Sequence, residues 1–162
     1  MRYILLSAIL LLSFASCEKA ETPASREDEL RSGKWKLVAG TAKWDPAIGL
    51  DTLVNYYNAL PDCDKDDYLV FGTNFQGSQF SDGKCDPSEP DEVQFMWELY
   101  DNGTGIHFWY ANETFFEQSA VSAPFVSYTS QRFTIRHTEY RPNPVDSHQR
   151  DTITFTHTFG KF

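Results

Sequence analysis

Positive charge is scarce in this sequence. Its 162 residues include 14 Lys and Arg against 23 Asp and Glu, which gives a formal net charge of -9 at pH 7. A chain of that sign repels the phosphate backbone of a nucleic acid on average. We therefore expect no nucleic-acid partner.

Recognisable catalytic and metal-binding motifs are missing as well. There is no Gly-x-Ser-x-Gly nucleophile elbow and no Cys-x-x-Cys pair. Carboxylates crowd the loop that starts at Asp62, but a calcium loop beginning there needs Gly at its sixth position and Glu at its twelfth, where Asp67 and Thr73 stand. Four histidines lack a recognised ligand spacing and are interpreted as locally satisfied: His107, His137, His148 and His157. We predict no enzyme activity, no catalytic residue, no metal site and no cofactor.

Long apolar runs are limited to one segment near the start. Residues 4–14 are apolar except for two serines, and a run of about a dozen residues is too short to span a bilayer. Arg2 precedes this run and two small residues follow it, which is typical of a secretory signal peptide. We predict that residues 1–16 are removed on export.

The end of that segment resembles the lipobox of bacterial lipoproteins. Phe14, Ala15 and Ser16 precede Cys17, although the family usually has Leu where Phe14 stands. The resemblance implies that Cys17 carries diacylglycerol and becomes the mature N-terminus. The alternative is an ordinary signal peptide with a cysteine near its cleavage point. Glu18 replaces the aspartate often linked to inner-membrane retention, so we predict a lipid-anchored protein of the cell envelope, at the outer membrane.

The remaining chain divides into a polar segment and one domain. Residues 17–31 are polar and charged, contain Pro23 and lack an apolar period, which predicts a flexible tether. From residue 32 onward the alternation has mostly a period of two, which is typical of strands. Residues 32–162 are enough for a single domain with a real core.

Six strands can be predicted within this domain from the alternation. Their apolar positions are Trp35, Leu37 and Ala39; residues 68–71; Val93, Phe95, Trp97 and Leu99; Ile106, Phe108 and Tyr110; Phe133, Ile135 and His137; and Ile153, Phe155, His157 and Phe159. Residues 72–77 are turn-like, residues 101–104 supply the left-handed positions of a tight hairpin, and two prolines in residues 141–144 break the chain. Residues 50–60 are the one helical candidate. Such strands must close or pack on themselves, which predicts an all-β, small antiparallel up-and-down barrel of about eight strands, with at most one short helix.

Further motifs resemble those of a known family. Gly33 and Trp35 form the Gly-x-Trp of lipocalins, in which the tryptophan helps to close one end of an eight-stranded barrel. Residues 63–71 and 84–90, with the motifs Cys-Asp-Lys-Asp-Asp and Lys-Cys-Asp-Pro-Ser, resemble the lipocalin-like domains of small lipoproteins of Gram-negative bacteria. The resemblance runs from about residue 33 to 108, with Phe95 where the family often has glycine. It implies a lipocalin-like barrel and no particular ligand.

Cys63 and Cys85 are expected to form a disulfide. If Cys17 is acylated, these two are left as an even pair in an oxidising compartment. Closing a loop of this size would stabilise the domain by about 3 kcal/mol on the chain-entropy model. The alternative is a metal or redox pair.

Aromatic residues make up 15% of the chain and supply the binding candidates. Seven are predicted to face inward, where they pack the core or line a cavity: Trp35, Phe71, Phe95, Trp97, Phe108, Phe133 and Phe155. Five others fall off the inward pattern or in irregular segments and are candidates for stacking on a sugar or a protein partner: Trp44, Tyr56, Tyr57, Trp109 and Tyr110.

Two functions fit these observations. The first is a membrane-anchored extracytoplasmic binding module that holds a small apolar or amphipathic ligand in the barrel. The alternative is a surface interaction protein that recognises a glycan or an envelope protein through exposed aromatics, with a filled barrel as scaffold. Eight-stranded barrels are either filled by side chains or hold one small ligand, so the interior decides between the two.

Overall fold

The chain folds into a closed antiparallel β-barrel. The computed structural model describes residues 23–47, 49–111, 114, 116 and 118–162. Its strands are β1 (Lys34–Asp45), β2 (Thr52–Val54), β3 (Tyr68–Phe71), β4 (Gln76–Phe80), β5 (Glu92–Tyr100), β6 (Gly105–Ala111), β7 (Gln118–Thr129), β8 (Arg132–Pro142) and β9 (Arg150–Lys161). They form one sheet in the order β2-β1-β3-β4-β5-β6-β7-β8-β9, and β1 also pairs with β9. Eight strands therefore close the barrel while β2 flanks β1, which confirms the predicted antiparallel barrel. The described residues contain two short helices where at most one was expected.

The barrel closes through its first and last strands. β1 pairs with β9 from Trp35 opposite Lys161 as far as Asp45 opposite Thr152, with a register shift after Leu37. The shift is a bulge, and it reverses the inside and outside positions that follow it. The prediction that Ala39 shares the buried face of Trp35 and Leu37 is therefore wrong, because Ala39 is exposed.

Alternation explains which side chains of β8 and β9 face the barrel interior. On β8, Phe133, Ile135 and His137 are all buried. On β9, His157 and Phe159 are buried, while the intervening threonines are only half-buried on the outer face. An uninterrupted antiparallel register joins β8 to β9 along their whole length. The two histidines thus point into the barrel, as the period of two requires.

Three local predictions can now be compared with the structure. The hairpin at residues 101–104 has the expected left-handed backbone, with φ of 47°, 57° and 83° at Asp101, Asn102 and Gly103. The helical candidate at residues 50–60 contains β2 and a 3₁₀ turn, Tyr57–Ala59, and a four-residue helix, α2 (Asp62–Lys65), follows it. Three strands, β2, β4 and β7, were not among the six predicted.

A nine-residue helix, α1 (Pro23–Arg31), packs against one end of the barrel. Leu30, its sole Leu, is fully buried, and the indole Nε1 of Trp35 donates to the Leu30 carbonyl at 2.8 Å. Arg31 donates from Nε to the carbonyl of Gly72 at 3.2 Å and lies 5.7 Å from the Trp97 ring. We call the end of the barrel that α1 covers the closed end. The predicted flexible tether is therefore wrong for residues 23–31, where tertiary contacts hold a polar segment as a helix; residues 1–22 lie outside the described residues.

Aromatic rings fill the barrel above this helix. Trp35 packs on Phe133 with ring centroids 5.0 Å apart, Phe71 packs on Trp97 at 4.9 Å, and Phe133 stacks on Phe159 at 5.0 Å. All five side chains are at most 1% exposed. Edge-to-face and stacked contacts of this kind add to the hydrophobic stabilisation of the core.

None of the described helices is long and apolar enough to cross a membrane.

Candidate functional site

A cavity of about 710 Å³ occupies the other end of the barrel, which we call the open end. Its apolar floor includes Leu37, Phe116 and Phe155, and polar side chains from the loops and strand ends form its walls. The volume lies within the range of about 300 to 1,000 Å³ that is usual for small-molecule sites. The barrel is therefore filled at one end and hollow at the other.

Two stacked histidines form one wall of the cavity. The rings of His137 and His157 lie 5.0 Å apart and are inclined by only 4°. Their side chains are 5% and 2% exposed, respectively. Burial lowers the pKa of His137 despite the nearby carboxylate of Glu139. Burial, together with the neighbouring His137, lowers the pKa of His157 to about 3, so both rings are neutral near pH 7.

Three nitrogens of this histidine pair have no hydrogen-bond partner among the described residues. They are Nδ1 and Nε2 of His137 and Nε2 of His157. The distance from His137 Nε2 to Glu139 Oε1 is 3.6 Å, too long for a good hydrogen bond. Buried polar groups left unpaired destabilise a fold, so polar atoms that face a cavity indicate where a ligand or water would bind.

Tyr56 reaches into the cavity and contacts the same pair. Its hydroxyl and His157 Nδ1 are 2.5 Å apart, and burial raises the pKa of the phenol well above its usual range, so that Tyr56 stays protonated. Gly40 of β1 makes room for it, because a Cβ at residue 40 would lie 2.2 Å from the Tyr56 ring. A side chain in the irregular segment between β2 and β3 is thus part of the site.

A buried carboxylate lies in another wall. Asp67 is 8% exposed, and it accepts hydrogen bonds from Gln79 Nε2 at 2.8 Å and from Ser81 Oγ at 2.9 Å. Burial raises the pKa of Asp67 more than these two bonds lower it. Asp67 is therefore a fixed acceptor with neutral partners.

Charged side chains also lie near the outer end of β8. Arg141 donates to one carboxylate oxygen of Glu139 from Nη2 at 2.8 Å and from Nε at 3.0 Å. Both residues line the cavity, and the guanidinium is half-exposed. Most of the charge of Arg141 is therefore offset by Glu139.

The structure separates the seven inward-facing candidates into two groups. Phe155 lines the cavity beside His137, with ring centroids 5.1 Å apart. The other six are core residues that do not line it: Trp35, Phe71, Phe95, Trp97, Phe108 and Phe133. The sequence pattern shows only that all seven side chains point inward. Whether one of them lines the cavity or packs in the core depends on its depth along the barrel axis.

The five surface-aromatic candidates have different environments. Trp44 is 40% exposed, and its indole Nε1 donates to Asp151 at 3.1 Å. Tyr110 is 68% exposed because a left-handed backbone, φ 58°, turns it outward from β6. Trp109 and Tyr57 are half-buried, and Tyr56 belongs to the cavity instead of the outer surface.

The predicted disulfide is confirmed. Cys63 and Cys85 are bonded, with their Cα atoms 5.4 Å apart, and both sulfurs are consumed by the bond. The bond joins α2 to the loop between β4 and β5. These two segments contribute Asp64 and Glu89 to the lining of the cavity. Cys17, the predicted lipidation site, lies outside the described residues.

Several residues of the site were not among the sequence candidates. His137 and His157 were placed on inward positions by alternation, but their adjacency depends on the register between β8 and β9. Asp67 was assigned to the acidic loop that starts at Asp62, although it immediately precedes β3 and is buried. The signal in the sequence that Asp67 could be buried was its position directly before the apolar run of β3.

Comparison with known proteins gives no family match. No family model and no curated protein match the sequence. A solved structure of a deswapped triple mutant of bovine odorant-binding protein is similar, with a TM-score of 0.42 and 14% sequence identity. The match covers 83% of this chain and 74% of that chain. A likeness of this size identifies neither a family nor a ligand for this chain.

Proposed function

We propose that the protein is a binding protein that holds one small amphipathic molecule in the open end of its barrel. The observation that carries the proposal is the cavity of about 710 Å³, whose wall buries imidazole nitrogens that have no partner among the described residues. A ligand that fills it would bury an apolar part against Phe116, Phe155 and Leu37. A polar part would reach the nitrogens of the histidine pair, for which the described part of the chain offers no partner.

The scaffold supports this proposal. The aromatic core and α1 fill the closed end, so the folded state does not depend on an occupant of the cavity. The disulfide fixes two of the segments that line the cavity. A site held by rigid elements needs little reorganisation on binding, which favours affinity.

Recognition through outer aromatics has less support. Trp44 lies on β1, whereas Trp109 and Tyr110 lie on β6, and these strands are not neighbours in the sheet. The exposed rings therefore do not form one continuous stacking face. We place the ligand in the cavity for this reason.

A neutral fluorescent probe tests the proposal. N-phenyl-1-naphthylamine, which fluoresces on leaving water, is titrated into the purified full chain. We expect saturable binding of one equivalent. Val93→Trp, which places a large ring at the cavity wall, should weaken binding by at least about tenfold. Val126→Trp is the matched control because Val126 is 49% exposed and does not line the cavity.

Two results would contradict the proposal. One is the absence of saturable binding to the unmodified chain. The other is equal binding by both tryptophan variants and the unmodified chain, which would place the probe outside the cavity. Circular dichroism of the variants shows whether each has kept the fold.

We also propose that the domain is anchored outside the cytoplasm by a lipid on Cys17. The residues from Phe14 to Cys17 and the apolar run before them support this address. A disulfide between Cys63 and Cys85 is in keeping with an oxidising compartment. The membrane and a small molecule would then be the two partners of the protein.

A further inference from the structure

We propose that the ligand is an organic cation, a protonated amine attached to an apolar or aromatic body. This inference rests on the proposed function, because it names the chemical class of the molecule in the same cavity. It depends on three features of the cavity: an excess of negative charge, a buried carboxylate with only neutral partners, and neutral imidazoles that do not repel a cation.

Negative charge dominates the lining. Of the described residues that line the cavity, four are carboxylates and one is a permanent cation: Asp64, Asp67, Glu89, Glu139 and Arg141. Glu139 holds the guanidinium of Arg141 through two hydrogen bonds, so this pair is close to neutral. Three carboxylates then remain without a cation in the lining. An anionic ligand would be repelled there, whereas an ammonium group would be attracted.

Asp67 is the buried carboxylate of this negatively charged wall, and two hydrogen bonds hold it in place. Each of its oxygens accepts one hydrogen bond, from Gln79 and from Ser81, and each has a further lone pair available. Buried carboxylates are usually paired with a cation. The described partners of Asp67 are neutral, and burial raises its pKa despite them. An ammonium donor would complete the pairing through a charge-assisted hydrogen bond.

The histidine pair is an independent observation that points to a ligand. His137 and His157 are more than nine-tenths buried and line the same cavity, and three of their nitrogens have no partner within the described ranges of the chain. A neutral imidazole has one acceptor nitrogen and one N–H. The protonated Tyr56 hydroxyl donates to Nδ1 of His157, which leaves the N–H of that ring at Nε2. Burial keeps both rings uncharged near pH 7, so His137 can accept a hydrogen bond from an N–H group and neither ring opposes its charge.

Aromatic rings complete the environment that a cation prefers. Phe116, Phe155 and Tyr56 line the cavity next to the histidines. The face of an aromatic ring attracts a cation within about 6 Å of its centroid. The same rings provide apolar area for the body of the ligand. One molecule that has both an ammonium and an apolar part therefore matches both parts of the lining.

The charge around the opening acts in the same direction. Residues 61–92 contain nine carboxylates against two lysines. Asp64, Asp67 and Glu89 of this stretch line the cavity, so these acidic residues lie at the open end. A field of one sign around a cleft concentrates ligands of the opposite sign and speeds their association. The acidic residues around the opening therefore raise the local concentration of cationic ligands before such a ligand enters the cavity.

Three probes of similar shape test the inference by isothermal titration calorimetry at pH 7. They are 2-phenylethylammonium, 2-phenylethanol and 3-phenylpropanoate, which are cationic, neutral and anionic. We expect the full chain to bind the ammonium at least about tenfold more tightly than the alcohol, and the carboxylate most weakly. Asp67→Asn should remove that advantage by lowering the affinity for the ammonium.

The control removes the same charge at the closed end. Asp28→Asn changes an 80% exposed side chain on α1, so it removes one negative charge, as Asp67→Asn does, without altering the cavity and should leave all three affinities unchanged. If Asp67→Asn proves unfolded by circular dichroism, the order of the three probes on the unmodified chain decides the matter. Equal or tighter binding of the alcohol or the carboxylate overturns the cationic class and leaves the proposed function standing. Binding of none of the three, together with no binding of N-phenyl-1-naphthylamine, overturns both.

Discussion

Mild acid is expected to destabilise the barrel through its buried histidine pair. In the folded protein the pKa of His157 is about 3, against 6.5 for an exposed imidazole, and the pKa of His137 is lowered as well. Below pH 6.5 the two histidines bind protons in the unfolded chain but stay neutral in the folded chain. Stability is therefore fully present above pH 6.5 and is lost as the pH falls from 6.5 towards 3.

The size of the effect follows from the linkage between protonation and folding. Each pH unit in this window removes about 1.4 kcal/mol per group while the unfolded state is protonated and the folded state is not. Between pH 7 and pH 5, His157 alone should cost about 2 kcal/mol of unfolding free energy. His137 adds to the loss in the same direction. Asp67 acts oppositely, because its raised pKa makes the folded state the better proton acceptor.

Urea unfolding at pH 7, 6 and 5 measures this loss directly. His157→Asn has no titratable group at this position, and its side-chain oxygen can accept the Tyr56 hydroxyl. Its stability should fall less steeply than that of the unmodified chain, by about 2 kcal/mol over the two pH units. His148→Asn, in the exposed loop between β8 and β9, should follow the unmodified chain. Equal pH dependence of the unmodified chain and His157→Asn would refute the argument.

Two further predictions concern the cysteines. Replacing Cys63 and Cys85 together by serine should lower the unfolding free energy by about 3 kcal/mol, because the bond closes a loop over a sequence separation of 22. Urea denaturation of the double variant measures this, and unchanged stability would show that the loop is already ordered in the unfolded chain. In a Gram-negative host, the full chain should incorporate labelled palmitate and sediment with the envelope, whereas Cys17→Ser should do neither. Labelling of the serine variant would place the lipid elsewhere.

Much of the barrel could be predicted from the alternation of its residues. The six predicted strands lie within β1, β3, β5, β6, β8 and β9, because one face of each is buried and apolar. β4 (Gln76–Phe80) was missed because its sequence contains two glutamines, a serine and a glycine. Gly77 stands there because a Cβ would lie 2.4 Å from the Phe95 ring. Its strand character depends on both neighbours, β3 and β5, and not on its own composition.

Features that depend on tertiary contacts could not be predicted. α1 has little local signal, since Leu30 is its only large apolar residue and the barrel end holds it in place. The candidate site depends on strand register, which brings His137 and His157 together, and on a loop that carries Tyr56 inward. Inward-facing aromatics could be identified from the sequence, but depth along the barrel separates Phe155 from the six rings of the core.

The pairing of the first strand with the last also affects how quickly the protein can fold. Trp35 and Lys161 lie opposite each other across the closure, so this ladder joins nearly opposite ends of the domain sequence. Contacts of such large sequence separation form late, because the chain loses loop entropy before they stabilise it. Until then β1 and β9 are open edges with unpaired backbone groups, which favour pairing with another chain. The interval before closure is therefore when nascent chains are most prone to aggregate, and dilution or slower synthesis should raise the yield of folded barrel.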